Sequence, residues 1–168
     1  MQPIKVVIAD DEKLAREAIK LQLQKEENIE LVAECTNGRE ALEKIRTLKP
    51  DLIFLDIQMP YFSGLEVLDQ MDKDYAPAVI IVSAYDKHAI EAFDKDAIDY
   101  LVKPYTDTRF EKAFHKALKQ VKPVREEKEK QPQSLIELMK ILKQFSPEEI
   151  HTLSIKEGTK ISLVPVTD

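Results

Sequence analysis

The sequence predicts a doubly wound α/β domain built on a five-stranded parallel sheet. The first observation is a set of short, continuous apolar runs rich in β-branched residues, as in strands buried on both faces of a sheet. These runs are Ile4–Ala9, Leu52–Leu55, Ala78–Val82 and Ile98–Val102. A fifth run, Ile29–Cys35, alternates apolar and polar residues, which indicates a strand nearer the edge.

The second observation is a helical repeat of apolar residues after each run. We expect the first helix to start after the acidic pair Asp10–Asp11, with Leu14, Ala15, Ala18, Ile19 and Leu21 on one side. Lys49-Pro50 ends the second helix, because proline disfavours a helical residue before it. The remaining patterns are Leu65–Met71, Ala89–Phe93 and Phe110–Val121.

Five alternating strand and helix patterns imply right-handed crossovers, for which the flavodoxin-like strand order 2-1-3-4-5 is the usual solution. We therefore predict a flavodoxin-like (βα)5 domain over residues 1–122. Residues 123–150 read as a charged linker followed by a short apolar helix, and residues 151–168 as a β-hairpin. Ligands of such a sheet bind outside the carboxyl ends of its strands, so the residues that follow the strands carry the functional signal.

Composition excludes several classes of function. The 168 residues carry a net charge of -6, which argues against nucleic-acid binding by this chain itself. Cys35 is the single cysteine, so neither a disulfide framework nor a thiolate metal cluster is expected. We found no signal peptide and no apolar stretch of the roughly 20 residues that a membrane span requires. A cytoplasmic protein without membrane contact is the simplest expectation.

Polar side chains follow the buried strands. Asp10 and Asp11 follow the first strand, Asp56 the third, Ser83 the fourth and Lys103 the fifth. Three converging carboxylates repel one another, and a hard cation such as Mg²⁺, or Mn²⁺ in its place, would offset that repulsion. The set suits phosphoryl transfer onto a carboxylate, where positioning and charge neutralisation supply most of the catalysis.

Each of these residues has an ordinary structural reading as well. Asp11 could be a helix N-cap, Asp56 a turn residue and Lys103 a solvated surface charge. Ser83 carries almost no information alone. The coincidence of all five polar groups at one edge of the sheet favours a functional site over these separate explanations.

Four motifs in this order, IADDEK, FLDIQMPYFSG, VSAY and DYLVKPY, resemble the receiver domains of bacterial two-component response regulators. The resemblance covers about residues 3–121. It implies that Asp56 is the phosphoacceptor. It also implies that Asp11, Asp56 and the backbone carbonyl of Gln58 hold Mg²⁺, with Asp10 contributing through a water molecule.

The same resemblance gives roles to residues around the acceptor. Lys103 would pair with the acyl phosphate, Ser83 would move towards the phosphoryl group, and Tyr100 would turn inward behind it. Lys103-Pro104 resembles the cis-proline turn of the family. At two further positions, Gln58 and Tyr85, family members tune hydrolysis of the phosphoryl group, although an ordinary surface aromatic explains Tyr85 equally well.

The stretch SAYDKHAIEAFDKDAIDYLVKPY resembles receivers that precede LytTR-type DNA-binding domains. LSIKEGTKISLVPVTD, at residues 153–168, is similar to the opening hairpin of such a domain, and a hairpin belonging to this chain alone is the alternative. An isolated hairpin is marginal in water, which favours the first reading. DNA would then be bound only by an output domain lying mostly beyond this chain.

The resemblance implies a switch that is phosphorylated by a sensor histidine kinase and dimerises through its fourth helix, fifth strand and fifth helix. Enzymatic behaviour would be limited to self-phosphorylation from small donors and slow autodephosphorylation. One alternative is a phosphatase similar to the haloacid dehalogenase family, but Gln58 stands where such enzymes have an acid. Another is a degenerate receiver that only binds a partner, against which the complete set of site residues argues.

Overall fold

The computed structural model describes residues 2–85, 87 and 89–121, and the predicted linker, apolar helix and hairpin lie outside them. Its strands are β1 (Ile4–Ala9), β2 (Ile29–Cys35), β3 (Leu52–Leu55), β4 (Ala78–Ser83) and β5 (Asp99–Val102). Its helices are α1 (Lys13–Leu23), α2 (Gly38–Leu48), α3 (Gly64–Gln70), α4 (Ala89–Asp94) and α5, whose described part covers residues 107–121.

All five strands are parallel in the order β2-β1-β3-β4-β5, which confirms the predicted topology. The alternating strand β2 lies at an edge, as expected. The continuous apolar runs of β3 and β4 are buried throughout, because helices cover both faces of the sheet.

The core has one apolar cluster on each face of the sheet. Val6 and Ile8 of β1 belong to the cluster that contains residues of α1 and α5, and the stacked rings of Phe54, Phe110 and Phe114 lie within it. Val7 and Ala9 belong to the cluster formed with α2, α3 and α4. Successive strand residues point to opposite faces, so β1 contributes to both clusters.

Local sequence explains the helix ends. The side chain of Asn37 caps α2 by accepting from the Glu40 amide, and Lys49 ends that helix in the left-handed conformation just before Pro50. Ser63 and Glu66 form a capping box at the start of α3. Among the described residues, no helix combines the length and apolar character needed to cross a membrane.

The predicted buried face of α1 is wrong in part. Ile19 and Leu23 are buried, whereas Leu14 is 79% exposed and Leu21 62% exposed. Residues seven apart lie almost above one another on a helix, so Leu14 and Leu21 share a stripe, and that stripe lies on the side opposite Ile19. Gln22 is buried instead, where its side-chain amide donates to Asp107 at the start of α5.

Candidate functional site

The carboxyl ends of four parallel strands bring the predicted polar residues together. Asp10 follows β1, Asp56 follows β3, Ser83 is the last residue of β4 and Lys103 follows β5. The register pairs Ala9 with Leu55, so Asp10 and Asp56 leave adjacent strands at the same level. Asp10, Asp56 and Ser83 are buried, while Asp11 is exposed.

A single ammonium group is shared by several carboxylates at this edge. The Lys103 Nζ lies 2.7 Å from Asp10 Oδ2 and 3.6 Å from Asp56 Oδ2. It also lies 3.6 Å from Glu12 Oε1, a contact that the sequence did not predict. The only signal for Glu12 was its position directly after the acidic pair.

The surroundings of the site shift the pKa values of Asp56 and Lys103. Burial and the neighbouring Asp10 carboxylate raise the pKa of Asp56 to about 7, although Lys103 and the Gln58 amide act in the opposite direction. Burial disfavours the charge of Lys103, but its hydrogen bond to Asp10 and the nearby Asp56 carboxylate raise its pKa overall. The site therefore holds a charged lysine beside the Asp56 carboxyl group, which is easily protonated.

Carboxylate oxygens of Asp10, Asp11, Glu12 and Asp56 all lie within 4.8 Å of one another. Four acidic groups with one lysine leave an excess of negative charge, and hard oxygen ligands are what Mg²⁺ prefers. Asp11 and Gln58 also line one surface cavity of about 540 Å³. The donor set thus fits a divalent cation bound by a few carboxylates, with room for water or phosphate oxygens.

The α1 N-cap is Glu12, so the N-cap explanation for Asp11 is wrong.

The loop between Asp56 and Gly64 packs closely against two glycines, Gly38 of α2 and Gly64, that leave no space for a side chain. A Cβ at Gly64 would lie 2.2 Å from the Asp56 carbonyl oxygen, and one at Gly38 would lie 2.0 Å from the Phe62 carbonyl oxygen. The Gly38 amide donates to the Pro60 carbonyl, and the Gly64 amide donates to the Ile57 carbonyl. These close approaches fix the loop that carries Gln58 against α2 and β3.

Ser83, Tyr85 and Tyr100 are connected by hydrogen bonds. The Ser83 hydroxyl accepts from the Tyr85 amide at 3.3 Å, and the Tyr100 hydroxyl donates to the Tyr85 carbonyl. Tyr100 is buried, whereas Tyr85 is 45% exposed. The Lys103-Pro104 peptide bond is cis. The residues from β4 and β5 that the resemblance singles out thus lie in one contiguous region.

Comparison with known proteins identifies the family of this chain. The model of the "Response regulator receiver domain" family matches residues 6–115. The transcriptional regulatory protein BtsR of Salmonella typhi is 44% identical over 133 residues, covering 79% of this chain and 53% of that protein. BtsR of Escherichia coli K12 is 38% identical over 163 residues, covering 95% of this chain and 65% of that protein.

Solved structures show the same fold. The response regulatory domain of mrkE from Klebsiella pneumoniae superposes with a TM-score of 0.66 at 29% identity, covering 71% of this chain and 99% of that one. The receiver domain of NarL from Mycobacterium tuberculosis gives 0.64 at 30% identity, with coverages of 73% and 98%. The chain spans about half the length of the first curated relatives it matches. It belongs to the response regulator receiver domain family, whose members are phosphoacceptor switches rather than true enzymes.

Proposed function

We propose that Asp56 accepts a phosphoryl group from a sensor histidine kinase in a Mg²⁺-dependent reaction. The observation that carries this proposal is a buried Asp56 carboxylate 3.6 Å from the Lys103 ammonium, within a cluster of four acidic side chains. A carboxylate in that position is pre-placed beside the positive charge that a phosphoryl oxygen would need. Family membership implies the histidine kinase as donor.

In this proposal Asp11, Asp56 and the Gln58 backbone carbonyl hold the cation, and Asp10 contributes through a water molecule. The ion supplies charge neutralisation at the phosphoryl oxygens. Asp10 also holds Lys103 through their 2.7 Å contact, which keeps the ammonium beside the acceptor. The loop from Asp56 to Gly64, which packs against Gly38, supports the position of Gln58.

The other residues of the site act on the phosphorylated state. Lys103 pairs with the acyl phosphate, and the Ser83 hydroxyl donates to a phosphoryl oxygen. Because the Ser83 hydroxyl already contacts the Tyr85 amide, its movement would pull on the residue that binds Tyr100. Tyr100 then transmits the change to β5, while Gln58 and Tyr85 control access of water. Pro104 sets the turn that aims Lys103 at the site.

The test is phosphorylation of the protein by acetyl phosphate with and without Mg²⁺, followed by intact-mass spectrometry. We expect the mass of one phosphoryl group to be added only when Mg²⁺ is present, and none to be added to Asp56→Asn. Asp69→Asn, which removes an exposed α3 carboxylate paired with Lys95, is the matched control and should react like the wild type. Phosphorylation that persists in Asp56→Asn contradicts the assignment.

We further propose that the receiver, residues 1–122, controls a transcriptional output of the LytTR type. Residues 123–150 would be the linker and residues 151–168 the opening hairpin of that DNA-binding domain. The support is the sequence resemblance, together with relatives that are named transcriptional regulatory proteins and are about twice as long as the matched segment. A protein in which this receiver is joined to a complete LytTR-type domain should shift promoter DNA in a gel, whereas residues 1–122 alone should not.

Phosphorylation would promote a homodimer through α4, β5 and α5. The exposed side of α5 is basic, with Lys112, Lys116 and Lys119 beside Arg109, and α4 carries the exposed acids Glu91 and Asp94. Opposite charges on neighbouring elements suit a two-fold contact in which α5 of each copy faces α4 of the other. Sedimentation with beryllofluoride and Mg²⁺ should show a dimer, and Lys116→Glu should weaken it. A beryllofluoride complex that stays monomeric argues against this surface.

A further inference from the structure

Arg16 of α1 reaches back to the turn that carries the acidic pair. Its Nη1 donates to the backbone carbonyl of Asp10 at 2.9 Å. The side chain is only 14% exposed although it carries a charge, so its position is defined by the groups around it. Arg16 was not among the residues that the sequence patterns indicated as functional.

On its other side the guanidinium is held by β2. The Arg16 Nε lies 3.5 Å from Glu34 Oε1, an ion-pair distance without hydrogen-bond geometry, and this nitrogen is buried. The second oxygen of Glu34 lies 3.2 Å from the Lys20 Nζ. Glu34 therefore anchors two cations of α1, of which Arg16 also bonds to the Asp10 carbonyl.

Every polar group of Asp10 has a partner. Its amide donates to the Cys35 carbonyl at 3.0 Å, and its carbonyl accepts from Arg16. One carboxylate oxygen accepts from the Glu12 amide at 2.9 Å and the other faces Lys103. Two of these contacts fix the main chain and two aim the carboxylate, so the Arg16 bond helps to set where Asp10 and the following Asp11 point.

We propose that Arg16 is a positioning residue for the metal site: its bond to the Asp10 carbonyl holds the turn in which the acidic pair faces Asp56. The inference rests on the proposed Mg²⁺ function of that pair. Groups that orient metal ligands without touching the ion typically contribute about 10–100-fold to metal affinity. A purely electrostatic role of Arg16 predicts the opposite change in Mg²⁺ affinity, because removing a nearby positive charge would strengthen cation binding.

The experiment is a Mg²⁺ titration followed by the amide NMR signals of residues 10–12 and 56–58. We expect Arg16→Met to bind Mg²⁺ roughly tenfold more weakly than the wild type. Arg16→Lys keeps the charge but lacks the planar fork, so it should remain weaker than the wild type. Lys20→Met, which loses a contact to the same Glu34 but none to Asp10, is the matched control and should bind within about twofold of the wild type.

The outcomes separate the possible roles. An Arg16→Met variant that binds Mg²⁺ as tightly as the wild type, or more tightly, overturns the inference while leaving the proposed function intact. A lower unfolding temperature with unchanged affinity, a merely structural role, overturns it as well. If Arg16→Met fails to fold, Arg16→Lys is judged by the same criterion. A wild-type protein that binds no Mg²⁺ contradicts the proposed function and this inference with it.

Discussion

Asp56 and Asp99 are two buried aspartates with almost equal exposure, 4% and 7%, yet their surroundings shift their pKa values in opposite directions. Asp56 lies at the carboxyl end of β3, and Asp99 is the first residue of β5. Burial by itself would raise the pKa of both carboxyl groups. The difference lies in the number of cations and hydrogen-bond donors that face each carboxylate.

Asp99 has a cation of its own. Arg109 contacts both of its oxygens, with Nη1 3.0 Å from Oδ2 and Nη2 2.5 Å from Oδ1, and the Tyr100 amide donates to Oδ1. Burial favours the neutral acid, but these contacts outweigh it and lower the pKa of Asp99. This carboxylate links β5 to α5, and both of its oxygens already have hydrogen-bond donors.

Asp56 shares its cation. Lys103 is 2.7 Å from Asp10 and 3.6 Å from Asp56, and the Asp10 carboxylate raises the pKa of Asp56 further. Any added positive charge, whether a proton or a metal ion, stabilises such a carboxylate. The comparison teaches that the counter-charge facing each buried carboxylate decides the direction in which its pKa shifts.

The largest expected effect comes from breaking the structural pair. Arg109→Met should lower the free energy of unfolding by about 2–3 kcal/mol, because it leaves the Asp99 carboxylate buried and unpaired. Urea denaturation at neutral pH measures this loss. Lys112→Met, on the exposed side of the same helix, is the control and should change stability by less than about 0.5 kcal/mol. If Arg109→Met were as stable as the control, the ion pair would not stabilise Asp99, and the contrast with Asp56 would be lost.

An effect of opposite sign is expected at the site. In metal-free protein at pH 8, Asp56→Asn should raise the free energy of unfolding, because the folded wild type then carries a carboxylate whose charge is disfavoured by burial and by Asp10. The folded-state pKa is raised, so protonation of Asp56 stabilises the wild type as the pH falls from about 7 towards 4, and the advantage of the variant shrinks.

Asp99→Asn is the counterpart of that variant. Its wild-type pKa is lowered, so the stabilisation by the Asp99 charge is present above the unfolded-state pKa and is lost as the pH falls through the folded-state value. Asp99→Asn should therefore destabilise the protein at neutral pH. Denaturation curves from pH 4 to pH 8 measure both variants. A metal-free Asp56→Asn that is less stable than the wild type at pH 8 would count against a raised pKa.

The third effect concerns Mg²⁺ and pH. A cation competes with the proton on Asp56, so affinity for Mg²⁺ should fall by about tenfold per pH unit below pH 7 and level off above it. Calorimetric titrations at pH 6, 7 and 8 test this slope. Removal of the ion with a chelator should restore the metal-free stability profile. An affinity that is the same at pH 6 and pH 8 would mean that Asp56 is already ionised without the metal.

Much of the fold could be predicted from local sequence, because strand runs and helix ends are short-range patterns. The strand order 2-1-3-4-5 and the placement of Asp10, Asp56, Ser83 and Lys103 at one edge followed from those patterns. The orientation of α1 did not follow, because its leucines suggested a face that the packing leaves in solvent. Glu12 and Arg16 were missed because their contacts leave no spacing signal: Glu12 contacts Lys103 from a distant segment, and Arg16 reaches the Asp10 carbonyl across the turn.

The sequence by itself determined which polar residues follow which strands, because chain order and hydrophobic periodicity decide where a parallel sheet ends its strands. It singled out Asp56, which follows a strand, over Asp99, which lies near the start of one, but it could not say how much counter-charge each carboxylate would have. Only the tertiary structure shows that Asp99 has Arg109 as its own partner, whereas Asp56 shares Lys103 with other carboxylates. Electrostatic interaction depends on distance and burial in space, and these quantities exist only once distant segments have packed together.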